Sequence, residues 1–310
     1  MKAFQSALGI FSGLSSKLNI LKQAAVVVYY IHNSFDWSNF NMTYFITASC
    51  YSDVGKKRST NEDNFYFDGH FLNNQGNDFS LPLQMCSHNS DACFAVFDGI
   101  GGEAYGGEAS LAAASAFAEY VANKRVRFLP SMRYLRHLVN FLNQAVVSKS
   151  QELASSRMGT TLACIMFHSS RAYCVNVGDS RIYLFRDGHL SQLSIDHSFT
   201  TKESTGKKPP LSQYLGMDPT EVFIAPSASH VVFHKGDIFL ICSDGLTDML
   251  DDEKIHTILQ SGDAPSDLGN QLLNAALSAG GKDNTTLIVC LISEDKRIGI
   301  NYRTKMRGSK

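Results

Sequence analysis

The stretch ACFAVFDGIGG (Ala92–Gly102) decides how this chain is read. Its first six residues are short-range, apolar and partly aromatic, which predicts a buried strand at Ala92–Phe97. The strand stops on Asp98, and Gly99 follows at once, so the backbone can turn there without steric cost. Upstream, Thr43–Cys50 and Asn64–Phe67 have the same strand character. Downstream come two helical stretches, Gly107–Asn123 and Met132–Ala154, with Ser131 as the N-cap of the second. Strand signals then resume at Thr160–Phe167, Arg171–Val177, Arg181–Phe185, His230–Phe233 and Asp237–Cys242. A second helical pair, Asp252–Gln260 and Pro265–Ala279, is closed by Gly280 and Gly281, and Thr285–Ile292 is the last strand.

Strands and helices therefore do not alternate one by one, which excludes a doubly wound parallel sheet. The expected fold class is α+β: a four-layer αββα sandwich of two antiparallel β-sheets flanked by pairs of antiparallel helices. The domain is expected to span residues 42–295. Residues 1–41 form an N-terminal extension expected to be poorly ordered, and 296–310 form a C-terminal tail.

Composition narrows the function classes. The chain has 310 residues, 44% hydrophobic and 18% charged, with a formal net charge of -1, so neither a nucleic-acid partner nor a membrane surface is expected. The longest early apolar run, Ala24–Ile31, is too short to span a bilayer. The seven cysteines are odd in number and have no CxxC spacing, which fits buried reduced thiols in a cytoplasmic protein.

The aspartates carry the chemistry. Asp98 and Asp244 follow apolar strands, Asp63 and Asp283 precede strands, and Asp179 lies in the turn VGDSR. In antiparallel sheets a strand's end and its neighbour's start share one edge, so these acids can converge on one rim. A single aspartate at a strand end is usually a turn former. Several at one rim repel each other unless a cation sits among them, and an all-oxygen set suits hard ions such as Mn²⁺ or Mg²⁺.

Six stretches in order then carry a resemblance: SDVGKKRSTNEDN, FAVFDGIGGEAYGGEAS, MGTTLACIMF, VNVGDSRIYLFRDGHLSQLSIDHS, GDIFLICSDGLTDML and GGKDNTTLIVCLI. Together, residues from about 45 to 293 resemble the protein phosphatase 2C family of metal-dependent serine/threonine phosphatases, in its bacterial form. The resemblance implies hydrolysis of phosphoserine and phosphothreonine in proteins by attack of a metal-bridging hydroxide, with two Mn²⁺ or Mg²⁺ ions and a weaker third. It assigns Asp98 to both metals, Asp244 and Asp283 to one, and Asp63, through its carboxylate or a bound water, with the Gly99 carbonyl to the other. Glu62 stands beside that second metal, outside its direct ligands, and Asp179 fits the third site. Arg58 matches the arginine that grips the substrate phosphate, by two parallel hydrogen bonds. Expected partners are phosphorylated proteins, substrates of a serine/threonine kinase, and the chain is expected to be a monomer. The competing reading is a catalytically weak phosphatase-like regulatory module.

The chain departs from the family pattern in three places. Ile100 stands where many eukaryotic members have a histidine, and Glu103 where bacterial relatives often have one. Between DHS (Asp196–Ser198) and LSQYLG (Leu211–Gly216) the flap is short, and its Lys202, Lys207 and Lys208 read as a solvated loop. His197 is expected to serve local structure rather than bind metal.

Overall fold

A computed structural model describes residues 44–73, 83–88, 92–101, 105–122, 132–155, 158–199 and 208–294, with the backbone alone at 83–88 and 294. The strands run β1 (Tyr44–Asp53), β2 (Asn64–Phe67), β3 (Leu83–His88), β4 (Ala92–Phe97), β5 (Gly99–Ile100), β6 (Gly159–Thr160) and β7 (Leu162–His168). They continue with β8 (Arg171–Val177), β9 (Arg181–Arg186), β10 (His189–Gln192), β11 (Ser227–Val232), β12 (Ile238–Cys242) and β13 (Thr285–Glu294). The helices are α1 (Gly106–Ala122), α2 (Met132–Glu152), the single turn α3 (Asp244–Thr247), α4 (Asp252–Leu259) and α5 (Pro265–Ser278).

Six strands pair in the order β10-β9-β12-β13-β1-β3, and five in the order β11-β8-β7-β4-β2. The pairings are antiparallel, as the uninterrupted register from Tyr44↔Glu294 to Asp53↔Thr285 illustrates. Period-two alternation divides each central strand between two cores. Along β13, Ile288, Cys290 and Ile292 enter the core between the sheets, with Phe239 and Ile241 of β12 and Phe94 and Val96 of β4. The intervening Leu287 and Val289 pack instead with Leu268 and Leu272 of α5. Along β4, Ala95 and Phe97 face Phe117 of α1 and Leu138 and Leu142 of α2. The four layers follow from this. Central strands covered on both faces are apolar throughout, which is why they read as continuous hydrophobic runs. Each fully buried leucine or phenylalanine here contributes roughly 1.5–3 kcal/mol.

Local chemistry sets the helix ends. The Asp251 carboxylate accepts the Lys254 N–H at 2.8 Å and caps α4. Pro265 opens α5, where its missing N–H costs nothing, and the Gly281 N–H donates to the Ala276 carbonyl to close it.

Several expectations shift. The strand expected at Thr160–Phe167 is interrupted at Thr161, and that expected at His230–Phe233 lies at Ser227–Val232. β3 and β10 were not expected; β10, His189–Gln192, is a mostly exposed polar edge without hydrophobic alternation. Among the described residues no helix is long and apolar enough to cross a membrane. The expectations for residues 1–41 and 296–310, Ser131, Glu103, Lys202 and Lys207 fall outside the described residues.

Candidate metal centre

Strand pairing brings the aspartates together. Asn64 of β2 faces Phe97 of β4, so Asp63 just before one strand and Asp98 just after the other share an edge of the five-stranded sheet. Cys242 of β12 faces Leu287 of β13, which places Asp244 and Asp283 at an edge of the six-stranded sheet. Asp179 sits in the turn from β8 to β9, where the chain passes from one sheet to the other. The edges meet: Asp98 feels the charges of Asp244, Asp63 and Asp179, and Asp63 those of Asp244 and Asp283.

Hydroxyl and amide side chains lock the acid-bearing backbone. The Asp98 N–H donates to Thr161 Oγ1 at 3.0 Å, and the Asp98 carbonyl accepts from the Thr161 N–H and Thr160 Oγ1, both at 2.9 Å. The interruption of the predicted strand at Thr161 thus serves Asp98. Ser243 Oγ donates to Asp63 Oδ2 at 2.7 Å. Asn284 ties the other loop: its Oδ1 accepts the Glu62 N–H at 2.8 Å, and its Nδ2 donates to the Val54 and Thr60 carbonyls, each at 2.9 Å. Gly99 tolerates no side chain, because a Cβ there would strike the carbonyl oxygens of Gly106 and Glu62. Glu62 packs its carboxylate against Gly106 at the start of α1. His197 Nδ1 accepts the Gly178 N–H at 3.1 Å, beside Asp179, so its role is local structure; burial lowers its pKa.

The electrostatics are those of crowded acids. Burial, then the neighbouring carboxylates, push Asp98 well above the usual range. Burial pushes Asp63 up to about 7, against the hydrogen bonds from Ser243 and Thr286. Burial raises Asp179 as well, with Lys208 opposing.

Two cations reach the rim from the side. Arg58 Nη2 pairs with Asp283 Oδ2 at 2.7 Å, with both side chains partly exposed. Lys208 Nζ pairs with Asp179 Oδ2 at 2.8 Å and with Asp244 Oδ2, and lies 3.6 Å from Asp248 Oδ2. Lys208 is exposed, as a solvated loop requires, but its ammonium is drawn into ion pairs that the solvated-loop reading did not include. Burial works against its charge, but Asp244 and Asp179 outweigh this and raise its pKa.

Among the described residues, no three His, Cys, Asp or Glu side chains close on one point as a finished metal cage. The donor set nevertheless fits hard divalent ions: carboxylates and a backbone carbonyl, in mutual repulsion, with an ammonium already drawn between two of them.

The family model for protein phosphatase 2C matches residues 73–277. The chain belongs to the protein phosphatase 2C family. This phosphatase 2C chain is 28% identical over 260 residues to protein phosphatase PhpP of Streptococcus pneumoniae, covering 80% of this chain and 98% of that protein. It is 30% identical over 258 residues to the serine/threonine phosphatase stp of Listeria monocytogenes, covering 77% and 92%. The crystal structure of the PstP catalytic domain in complex with two manganese ions matches with a TM-score of 0.63 at 28% identity, covering 81% of this chain and 99% of that one.

Sequence reasoning missed Thr160, Thr161, Ser243, Asn284 and Lys208. The first four had a signal: each lies in a motif of the phosphatase 2C pattern, within two residues of an acid or in the GTT stretch that pairs beside one. Lys208 had a weaker signal, the Pro209–Pro210 pair that stiffens the backbone after it.

Proposed function

We propose that this phosphatase acts on phosphoserine and phosphothreonine in proteins and depends on two Mn²⁺ or Mg²⁺ ions held by the acid rim. The convergence of Asp63, Asp98, Asp179, Asp244 and Asp283 on one edge carries the reading. Asp98, which feels three of the others, would contact both ions. Asp244 and Asp283 would hold one, and Asp63 with the Gly99 carbonyl the other. When bound, the ions supply Lewis-acid charge that brings water's pKa toward neutrality and offsets charge on the phosphoryl group.

The chain's own residues do the rest. Thr160, Thr161 and Ser243 fix the acids before the ions arrive, so little reorganisation accompanies binding. Glu62, packed on Gly106, supports the Asp63 side from outside the direct ligands. Arg58 lies partly exposed beside Asp283, where its remaining N–H donors can take a phosphate oxygen. The reaction displaces the alcohol with water and forms no bond between phosphorus and the protein. The six cysteines with described side chains form no disulfide among the described residues, and none is assigned a role as nucleophile. Reduced thiols support a reducing, cytoplasmic location. A monomer acting on substrates of a serine/threonine kinase completes the proposal. The catalytic unit would span residues 42–295, because β13 pairs along its length with β1, the first described strand.

The test is hydrolysis of phosphoserine, phosphothreonine and phosphotyrosine peptides by metal-stripped protein. Release from the first two upon adding Mn²⁺ or Mg²⁺ is expected. Full activity in excess EDTA would overturn the metal requirement.

A further inference from the structure

Lys208 belongs to the shortened flap, yet its ammonium lies among three carboxylates at the corner where the two sheets meet. Asp244 and Asp248 come from the stretch DGLTD, one helical turn apart, and Asp179 from the β8–β9 turn. The position of Lys208 is built. Pro209 and Pro210 restrict the chain directly after it. The Phe199 N–H donates to the Pro210 carbonyl at 3.0 Å, the Ser212 N–H donates to His197 at 2.8 Å, and Ser198 bridges to Leu211. His197 is itself tied to Gly178, next to Asp179. The backbone that presents the lysine and the backbone that presents Asp179 are therefore one hydrogen-bonded unit.

We propose that Lys208 is the resident cation of the Asp179–Asp244–Asp248 corner, so that this chain takes two divalent ions and its own ammonium fills the place of a third. The inference rests on the metal-centre reading above and adds to it a reason why no third ion is taken. Lys208 engages Oδ2 of both Asp179 and Asp244, leaving the second carboxylate oxygen of Asp244 to the metal pair. One fixed positive charge offsets repulsion among acids that would otherwise need a further ion. An ammonium cannot carry activated water as a divalent ion can, so the corner becomes a positioning device.

Mn²⁺ stoichiometry of the full chain tests this, by equilibrium dialysis from micromolar to millimolar metal. Wild type and Lys208→Arg should bind two ions. Lys208→Gln should bind a third, and adding Asp179→Asn to that variant should remove it. In EDTA, Lys208→Gln should melt a few degrees below wild type, because the acids lose their counter-charge, and saturating Mn²⁺ should close the gap. Three ions in wild type, or two in both wild type and Lys208→Gln, would overturn the inference while leaving the metal centre intact. No Mn²⁺ in either protein would overturn the metal-centre reading along with it.

Discussion

The five-stranded sheet contributes Asp63 and Asp98 to the rim, and the six-stranded sheet contributes Asp244 and Asp283, yet the two pairs are neutralised differently. Asp63 is deeply buried, and both it and Asp98 are pushed upward by burial and by neighbouring acids. Asp98, Asp244 and Asp283 are all partly exposed, and the last two each have a side-chain cation, Lys208 for one and Arg58 for the other. Hydroxyl and amide donors can orient the Asp63–Asp98 pair but cannot cancel its charge. That pair is where a divalent ion, or failing that a proton, is needed most. On the proposed reading, the Asp244–Asp283 pair with its cations would set access and phosphate binding.

The largest expected effect breaks the Asp63–Asp98 pair. Asp98→Asn should lower kcat on the order of a thousandfold, equivalent to several kcal/mol of lost transition-state stabilisation. It should also raise the melting temperature of the metal-free protein, because one repelling charge is gone. Asp244→Asn should be nearly as inactive but should not gain that stability, since it also takes a partner from Lys208. Parallel assays and melts in EDTA separate the two. Equal stabilisation by both substitutions would erase the contrast between the sheets.

A second test uses pH on the metal-stripped protein. Folding raises the Asp63 pKa from 3.8 to about 7, and Asp98 and Asp179 move the same way. The folded state therefore binds more protons than the unfolded state across that window. Stability should fall as pH rises from about 4 through about 7, by on the order of a few kcal/mol. Melts at pH 5.5 and pH 8 should show the higher temperature at pH 5.5, with Mn²⁺ favouring pH 8. A metal-free protein equally stable at both values would contradict the electrostatics of the Asp63–Asp98 pair.

Smaller effects sharpen the Asp244–Asp283 pair. Arg58→Ala should raise KM for a phosphopeptide by about tenfold, the loss of one charge-assisted contact, with less effect on Mn²⁺ affinity. Collapse of metal binding with unchanged KM would assign Arg58 to Asp283 alone. The smallest effect should come from a chain starting at Met42, which is expected to fold and keep its activity. Insolubility, or a large drop in melting temperature, would bring residues 1–41 into the domain.

The aspartates and the layered fold were legible because both rest on local pattern. Apolar strands such as Ile238–Cys242 run out within two residues of an acid, and glycines mark where the backbone must pass close by. What escaped depends on distant partners. Thr161 reads as one more strand residue until Asp98 is placed against it. Lys208 reads as merely solvated until its ammonium is placed beside Asp179 and Asp244, 29 and 36 residues away in sequence. β10 has a polar, mostly exposed sequence whose pairing is set by the turn at Asp187–Gly188 rather than by a core.

The most direct measurement of the central claim is an anomalous difference map at the manganese edge, from crystals of the full chain grown with Mn²⁺. The account predicts two peaks, both at bonding distance from the Asp98 carboxylate, one beside Asp63 and the Gly99 carbonyl and the other beside Asp244 and Asp283. Lys208 should remain between Asp179 and Asp244. Peaks that avoid Asp98, or no peak at the rim at saturating Mn²⁺, would contradict it.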